Sequence, residues 1–498
     1  MRETALGSTC TYPRIREPIT PTTKQCHLIL HKGHRCMFWK RRRHLVTFLA
    51  FLGFLNVSSL RVNFMHAINT MMTPYNVTLG NGTVVEKVDI TWNIMEIFNI
   101  LRAPYFGNAA TQILGGWLGA CLGGSRVFGV AVALSALFSL VTPFLVNIGV
   151  ANILIAIRFM EGLFEGVTYP SIIAVWSRWA PPQERARLVT IAFAGRYFGT
   201  VVNDPVFRLI INTLGWSYIF YVTGIVGLIW CAVWWIVVKD KPEDDPHIST
   251  EELKYLRDNL DCGPNDSIPK HIIYPWDKFI TSMPVWAIVV AHTCLSTGLS
   301  LDGEMPTFLR DIYNYRMDET GLMSFLPYLL MVVLMVVAGT LADWLRNTEV
   351  LTTTQVRKVF NCGAFIIQAI FVFLAGHLHS VNAVLFCLVM IVGLSAFPWA
   401  AFSVNHLDIA PQHASVLMGL SNTFASVLSF LIPYLTSYFM TERSLEQWQY
   451  VFYVNSAICL VGALFYWAFA SGERQRWAPP APTPESESLS LPQRSHVI

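Results

Sequence analysis

The densest group of charged residues inside an apolar stretch of the chain is Arg158, Glu161 and Glu165. Their spacing of three and then four residues places them on one face of a helix. A guanidinium can bind a carboxylate through two hydrogen bonds, and a poorly hydrated glutamate can bind and release a proton near neutral pH. We therefore predict that Arg158 binds an anion and that Glu165 and Glu161 couple its movement to protons. An internal ion pair that only stabilises the helices is the alternative.

Four other charged residues, Arg61, Arg102, Arg196 and Asp204, also interrupt apolar stretches. A charge at the centre of a bilayer costs at least about 2.5–3.5 kcal/mol, so each of them needs a partner or a function. Arg61 and Arg102 are candidate substrate-binding residues, and a structural partner is an equal alternative for both. Arg196 and Asp204 lie eight residues apart, too far to touch directly, and we expect them to be charge partners of other helices.

The stretches that carry these residues have the composition of a membrane protein. Of the 498 residues, 53% are hydrophobic and 13% are charged, with a mean hydropathy of +0.45, whereas a soluble globular chain is about 25% charged. The apolar runs are continuous and reach the roughly 20 residues that cross a bilayer as a helix. We predict an all-α membrane protein with twelve transmembrane helices. The predicted spans are 44–68, 92–118, 126–146, 149–175, 188–211, 217–238, 285–308, 320–342, 359–376, 382–404, 415–438 and 449–470.

Polar segments divide the chain into five predicted regions. They are a cytosolic tail (1–43), a six-helix half (44–238) that includes a glycosylated lumenal loop (69–91), a cytosolic central loop (239–284), a second six-helix half (285–470) and a disordered cytosolic tail (471–498).

Lysine and arginine concentrate on one side of this arrangement, and they indicate that both termini are cytosolic. The glycosylation sequons at Asn76 and Asn81 fall on the other side, where glycosylation takes place. His406 and Asp408 lie at the cytosolic end of a span, and we expect both to be solvated turn residues.

Six spans, a long loop and six more spans resemble the layout of the major facilitator superfamily, which implies a substrate site between two halves near the midplane. A cytosolic motif of that superfamily has its glycine, aspartate and arginine at Gly339, Asp343 and Arg346. The equivalent stretch in the first half keeps glycines and a final arginine at 115–126 but lacks the aspartate.

More specific stretches resemble one branch of that superfamily, namely the vesicular glutamate transporters, sialin and the type I sodium–phosphate cotransporters. The stretches shared with the whole branch are Leu60–Asn63, Thr111–Gly116, Arg158–Pro170, Trp179–Arg185 and Asn405–Pro411. Those most similar to the vesicular glutamate transporters are Phe279–Ile288, Thr352–Lys358, Asn361–Gly363, Trp448–Phe452 and Phe469–Glu473. The resemblance implies uptake of an acidic amino acid into an acidified organelle, driven mainly by membrane potential.

The resemblance also implies roles for individual residues. Arg61 and Arg158 match the family's substrate-associated arginines, and Glu165 matches the glutamate linked to proton coupling. Glu161 matches a glutamate of sialin that glutamate carriers usually replace with glutamine.

The chain departs from the family at three positions. Leu101, beside Arg102, stands where glutamate carriers have a histidine, and Leu295 stands where they have an arginine. Ile173 replaces a histidine that follows the proline of the fourth span. These departures put glutamate itself, and the response to pH, in question.

The leading prediction is a secondary active organic-anion transporter that takes up L-glutamate by alternating access, using membrane potential and a proton gradient. A proton-coupled carrier of an acidic sugar such as sialic acid, or a sodium-coupled phosphate carrier, is the alternative within transport. An anion channel and a transport-dead scaffold are alternatives from other classes.

Its expected partners are the bilayer, the anion and protons, with chloride or sodium as further ions. The expected membrane is that of a vesicle or lysosome-like organelle, with the plasma membrane as the alternative. No nucleophile–base pair, cofactor motif or metal-ligand spacing occurs, so we predict neither an enzyme nor a metal site, and we predict no binding of nucleic acid.

Overall fold

The computed structural model describes residues 41–78, 84–90, 92–260, 274–315, 322–440 and 443–478. The predicted glycosylation site at Asn81 and most of both predicted tails lie outside these residues. Within them the chain is almost entirely helical, apart from one antiparallel hairpin of strands β1 (Tyr75–Thr78) and β2 (Val84–Lys87).

The first half contains seven helices that form six segments of membrane-spanning length. They are α1 (Arg42–Met72), α2 (Ile94–Leu122), α3 (Gly124–Ile148), α4 (Ala151–Gly166) followed by α5 (Thr168–Trp179), α6 (Arg185–Leu214) and α7 (Ser217–Val237). The short helix α8 (Thr250–Asn259) lies in the segment that separates the two halves.

The second half repeats this arrangement after the short helix α9 (Trp276–Thr281). Its helices are α10 (Met283–Tyr313), α11 (Leu322–Asn347), α12 (Thr353–Ala375), α13 (Val381–Leu394) followed by α14 (Ala396–Ile409), α15 (Ala414–Phe439) and α16 (Leu445–Phe469). The described part of the chain therefore has twelve helical segments, and each helix runs a few residues beyond or short of its predicted span.

The fourth and tenth segments are each interrupted near the middle. In the first half the break lies at Val167, and Pro170 follows as the third residue of α5. In the second half it lies at Ser395, and Pro398 is the third residue of α14. Proline lacks the N–H that a continuous helix would need, so both breaks have the same local cause. The first break places Glu165 at a helix end.

Nine helical segments of the described chain are long and apolar enough to cross a membrane. The three others are α2, the α4–α5 pair and α6. The first contains Arg102, the second contains Arg158 with Glu161 and Glu165, and the third contains Arg196. The least apolar segments of the bundle thus carry most of the charged residues singled out above.

The two halves meet through two related helix pairs. The second segment of one half packs against the fifth segment of the other, as α2 against α15 and α11 against α6. At the first pair the backbones approach closely: a Cβ atom on Gly116 would lie 2.5 Å from the carbonyl oxygen of Ser415. Close approach of this kind requires a residue without a side chain.

The bundle has two opposite faces at which its helices end. The basic face carries Arg41–Arg43, Arg185–Arg187, Arg346 and Arg357, and the hairpin face carries β1 and β2.

Candidate substrate site

Three helices of the first half bring five charged side chains together inside the bundle. Arg61 comes from α1, Arg158, Glu161 and Glu165 come from α4, and Arg196 comes from α6. The spacing on α4 does place its three residues on one buried face, as expected from the sequence. These five residues are called the charge cluster.

Glu165 is the centre of the cluster because two arginines share it. Its Oε1 atom accepts a hydrogen bond from Nη1 of Arg61 and a second, 3.1 Å long, from Nη1 of Arg196. The break after Gly166 lets Thr168 donate its hydroxyl to the Glu165 carbonyl over 2.6 Å. The Glu165 side chain is therefore fixed between two cations that come from different helices.

Arg158 and Glu161 form the second pair, one helical turn away. Nη1 of Arg158 lies 2.5 Å from Oε2 of Glu161, and its Nη2 atom donates to the carbonyl of Arg61 over 2.9 Å. Arg158 is 2% exposed, Glu161 7% and Glu165 8%. Arg61 and Arg196 are partly buried, with side chains that are 17% and 23% exposed. Electrostatic interactions in such a largely buried site are stronger than in water.

Two polar atoms of this second pair have no hydrogen-bond partner within the described chain, namely Nε of Arg158 and Oε1 of Glu161. A small cavity of about 20 Å³ adjoins them and is also lined by Ser135 and Thr168. That volume is sufficient for a water molecule, which needs roughly 10–15 Å³ and two or more polar partners. The cluster therefore has unused hydrogen-bonding capacity beside a polar cavity.

Aromatic rings surround the arginines and limit their movement. The Arg61 guanidinium lies 4.3 Å from the centre of the Tyr105 ring, and that of Arg196 lies 5.8 Å from the centre of Tyr169. Tyr169 in turn stacks on Trp399 of the second half, with ring centres 5.9 Å apart. Aromatic contacts thus connect the cluster to the opposite half of the bundle.

A cleft of about 380 Å³ lies between the halves on the hairpin side of the cluster. Val62 and Thr200 line it, and they are next to Arg61 and one helical turn from Arg196, respectively. The wall from the second half is mostly apolar. It consists of Gly303, Met305, Pro306, Pro327, Tyr328, Leu385, Leu388 and Val389.

Arg102 and Asp204 lie apart from this cluster. Arg102 is half-buried and lies against the rings of Phe98 and Tyr434, at 5.1 and 4.9 Å from their centres. Asp204 pairs with Arg208, one turn further along α6, at 3.1 Å. Arg196 and Asp204 therefore have different partners, and only Arg196 joins the cluster.

At the three positions that depart from the family pattern, the apolar side chains lie in apolar surroundings. Ile173 is fully buried, Leu295 is 2% exposed within the core of the second half, and Leu101 is partly buried. Among the described residues, the arginines of the charge cluster all come from the first half.

The expectation that His406 and Asp408 are solvated turn residues is wrong. Asp408 is buried because two arginines converge on it: Arg185 from the first half at 3.1 Å and Arg357 from the second half at 2.8 Å. His406 is fully buried, and its Nε2 atom lies 3.0 Å from Oγ of Ser421. Neighbours that are distant in sequence exclude solvent from both side chains.

The motif aspartate Asp343 also joins the halves at the basic face. Its two carboxylate oxygens accept hydrogen bonds from the backbone N–H groups of Ala186 and Arg187, at 3.1 and 2.8 Å. These N–H groups begin α6, and the positive end of a helix dipole favours an anion there. The basic side of the bundle is therefore closed by polar contacts between the halves.

Sequence reasoning missed the contact between Arg196 and Glu165. The two residues lie 31 positions apart on different helices, so no spacing rule could connect them. The only signal was an unexplained cation within the apolar stretch of α6. The sequence analysis also missed Asn63, whose Oδ1 atom lies 3.5 Å from Nη1 of Arg158.

Comparison with known proteins agrees with this architecture. Residues 44–433 match the family model of the Major Facilitator Superfamily. The chain is 37% identical to vesicular glutamate transporter 1 of Xenopus tropicalis, over 90% of this chain and 78% of that protein. It is 36% identical to vesicular glutamate transporter 2 of Homo sapiens, over 90% of this chain and 77% of that protein.

Solved structures show the same fold at low sequence identity. The proton:xylose symporter XylE superposes with a TM-score of 0.63 at 15% identity, covering 86% of this chain and 96% of that one. A bacterial homologue of the iron transporter ferroportin superposes with a TM-score of 0.59 at 14% identity, covering 85% and 99% of the two chains.

These matches confirm the predicted fold class of two six-helix halves and the predicted membership of a transporter family. The chain belongs to the Major Facilitator Superfamily and, within it, to the branch that contains the vesicular glutamate transporters.

Proposed function

We propose that this protein is a secondary active transporter of a small organic anion, with L-glutamate as the leading cargo. The observation that carries the proposal is the convergence of Arg61, Arg158 and Arg196 in one largely buried cluster beside the cleft between the halves. The names of its relatives, vesicular glutamate transporters 1 and 2, support glutamate.

The charge balance of the cluster suits an anion with one net negative charge. Three arginines face two glutamates, Glu161 and Glu165, so the cluster has a net charge of 3 − 2 = +1 when all are ionised. A buried, uncompensated charge is costly, and an incoming anion would neutralise it. Glutamate, with two carboxylates and one ammonium, has a net charge of −1 near neutral pH.

Glu165 is the residue with which the anion would compete. A cargo carboxylate could replace its Oε1 atom as the acceptor for Arg61 and Arg196, because guanidinium groups bind carboxylates in the same geometry. Protonation of Glu165 would release both arginines. We propose that proton binding and anion binding are coupled through this exchange.

Alternating access would use the two interfaces between the halves. The basic side is held by Asp343 and Asp408, while the cleft lies on the hairpin side. Movement of one half against the other about a fixed midplane site is the general mechanism of such folds. The reverse state would require these basic-face contacts to separate.

We propose that membrane potential and a proton gradient drive uptake. Each elementary charge that crosses the membrane gains about 2.3 kcal/mol per 100 mV. Glutamate carries a net charge of −1 near neutral pH, so an inside-positive potential favours its uptake. Chloride and sodium are further ions to test.

A proton-coupled carrier of an acidic sugar is the second candidate, and one observation favours it. Glu161 is buried, and its Oε1 atom lacks a hydrogen-bond partner among the described residues. A second buried carboxyl group with a free oxygen could take up a proton. Sialic acid therefore belongs in the same assay as glutamate.

We further propose that both termini are cytosolic and that the hairpin face is lumenal, in the membrane of a vesicle or lysosome-like organelle. Asn76 is exposed in β1, on the face opposite Arg41–Arg43, so it is accessible to glycosylation. Glycosidase treatment should shift the wild-type protein to lower apparent mass and leave an Asn76→Gln, Asn81→Gln double variant unchanged.

The main experiment is uptake into liposomes that contain the purified protein. Labelled glutamate, aspartate, sialic acid and phosphate are compared under an inside-positive potential, with and without an acidic interior. Arg61→Gln and Arg196→Gln should each lower uptake at least about tenfold, the loss expected when a hydrogen bond to a charged group worth roughly 1.5–3 kcal/mol is removed.

Arg257→Gln is the matched control, because Arg257 lies on α8 outside the bundle helices, with a side chain that is 46% exposed. Equal losses in the control would show a general effect of arginine removal. The absence of uptake of every anion by the wild-type protein would overturn the proposal, and uptake of sialic acid alone would move it to the second candidate.

A further inference from the structure

A second group of titratable residues lies at the edge of the cleft, outside the charge cluster, and one of its members, His66, lines the cleft. It consists of His66 on α1 with Asp204 and Arg208 on α6. His66 is five residues beyond Arg61, and Asp204 is eight residues beyond Arg196, so the group lies closer to the hairpin face than the cluster does.

His66 and Asp204 are placed so that protonation of the imidazole would complete an ion pair between them. Nδ1 of His66 lies 3.7 Å from Oδ1 of Asp204, within the range of an ion pair but beyond that of a hydrogen bond. Arg208 holds Asp204 through its Nε atom at 3.1 Å. The ring of Phe207 packs edge-on against His66, with centres 5.3 Å apart, and so fixes the orientation of the imidazole.

His66 also lies where a change of charge would affect the conformation. Its side chain is 25% exposed, and it lines the cleft together with Met65 and Asn203. The opposite wall is formed by apolar residues of the second half, including Met305 and Leu388. Closure of the cleft would bring His66 toward this wall.

We propose that His66 and Asp204 form a proton-binding site that holds the cleft open when it is occupied. Burying an imidazolium against an apolar wall costs much more than burying a neutral imidazole. A protonated His66 therefore resists closure, and its loss of a proton permits it. The inference rests on the alternating access proposed above, and it adds a site for protons on the side of the cleft.

The groups that face His66 set the direction of each expected effect. On α6 these are the Asp204 carboxylate, which favours the protonated ring, and the Arg208 guanidinium, which disfavours it. On α1 the nearest charged residue is Arg61, which is paired with Glu165. Across the cleft, Glu304 of α10 is half-buried and stands in the sequence between Gly303 and Met305, which both line the cleft.

The test measures the width of the cleft without any cargo. Spin labels are attached at Thr73 and Ser380, two exposed positions on the hairpin face of different halves, in a background without other reactive cysteines. Distance distributions are recorded by double electron–electron resonance in nanodiscs from about pH 4.5 to 8.5, two units on either side of the ordinary histidine pKa of about 6.5. The wild-type protein should shift from the longer to the shorter distance as the pH rises.

Three variants make the test specific. His66→Gln should abolish the shift. Asp204→Asn should move its midpoint down and Arg208→Gln should move it up, each by about one pH unit, the usual effect of one nearby charge. A purely structural role would not give opposite shifts. His247→Gln is the matched control, because His247 lies outside the bundle helices with a side chain that is 75% exposed, and it should behave as the wild type does.

A wild-type distance that does not change with pH, or a shift that survives in His66→Gln, would overturn the proposal. The assay contains no organic anion as cargo, so it stays informative whichever cargo is carried. Failure of the proposed function would instead appear as an absence of uptake at any pH in the liposome experiment. The two failures are therefore distinguishable.

Discussion

Nη1 of Arg185 in the first half of the bundle lies 3.1 Å from Oδ1 of Asp408 in the second half. Asp408 simultaneously accepts a hydrogen bond from Arg357 of its own half at 2.8 Å. All three side chains are buried, so this is an internal charge network at the interface between halves that would separate in the proposed alternating access. Its disruption should affect both stability and conformation.

Asp408→Asn should lower the stability of the protein by about 3 kcal/mol, the lower end of the usual cost of leaving one partner of a buried ion pair uncompensated. The measurement is a thermal melt of the purified protein in detergent. Asp277→Asn is the matched control, since Asp277 is exposed and pairs with exposed Lys278 at 3.2 Å. Equal melting temperatures for the two variants would contradict the prediction.

Glu165→Gln should flatten the dependence of anion uptake on pH. The neutral amide imitates the protonated carboxyl group. Arg61 and Arg196 therefore lose the shared carboxylate with which a cargo anion would compete. Uptake is measured in liposomes across a series of internal pH values, and binding of labelled glutamate is measured in parallel. Glu446→Gln, at an exposed helix start, is the control. An unchanged pH profile in Glu165→Gln would exclude Glu165 as a coupling residue.

Arg102→Gln should retain anion uptake to within about twofold. Arg102 contacts the Phe98 and Tyr434 rings rather than the charge cluster, and such cation–π contacts contribute roughly 0.5–2 kcal/mol. A modest decrease in melting temperature is expected. A tenfold loss of uptake in a folded variant would instead restore Arg102 as a substrate-binding residue.

Gly339→Ala should impair the closure of the basic face. A Cβ at this position would fall on the Thr190 hydroxyl, with the Arg187 Cα at 2.9 Å, so α11 could not approach α6 as closely as it does. We expect a loss of about 1–3 kcal/mol in stability, as for other overpacked contacts. Gly298→Ala is the control, because a Cβ there meets no atom within 4 Å. Indistinguishable melts would show that the interface can relax around a methyl group.

Glu184 should contribute to stability in a manner that depends on pH. Burial by itself raises the pKa of Glu184, but hydrogen bonds from His44 and Arg43 outweigh it and hold the pKa well below its usual range. Because the pKa is lower in the folded state, the stabilisation is fully present above about pH 4.5, the ordinary value for glutamate, and it is lost as the pH falls further.

Glu184→Gln should therefore lower stability at neutral pH by roughly 2 kcal/mol, the usual worth of hydrogen bonds to a charged group. The difference from the wild type should shrink as the pH falls below about 4.5. Chemical denaturation at a series of pH values checks this. A difference that does not depend on pH would show that the contribution of Glu184 is not electrostatic.

The amino-acid sequence determined the fold class and part of the site. Continuous apolar runs of spanning length can satisfy their backbone groups only as helices, so the helical bundle follows from local composition. The group Arg158, Glu161 and Glu165 was predictable because its members share one helix, where the spacing fixes the face. The matching stretches of sequence then predicted the family.

Tertiary structure alone decided which charges meet. Arg196 pairs with Glu165 while Asp204 faces His66, although Arg196 and Asp204 lie on the same helix. Asp408 is buried at a point where Arg185 of the first half and Arg357 of the second half converge on it. A local pattern determines the direction of a side chain on its own helix, but the partner depends on how separate helices pack, and that information is distributed over the whole chain.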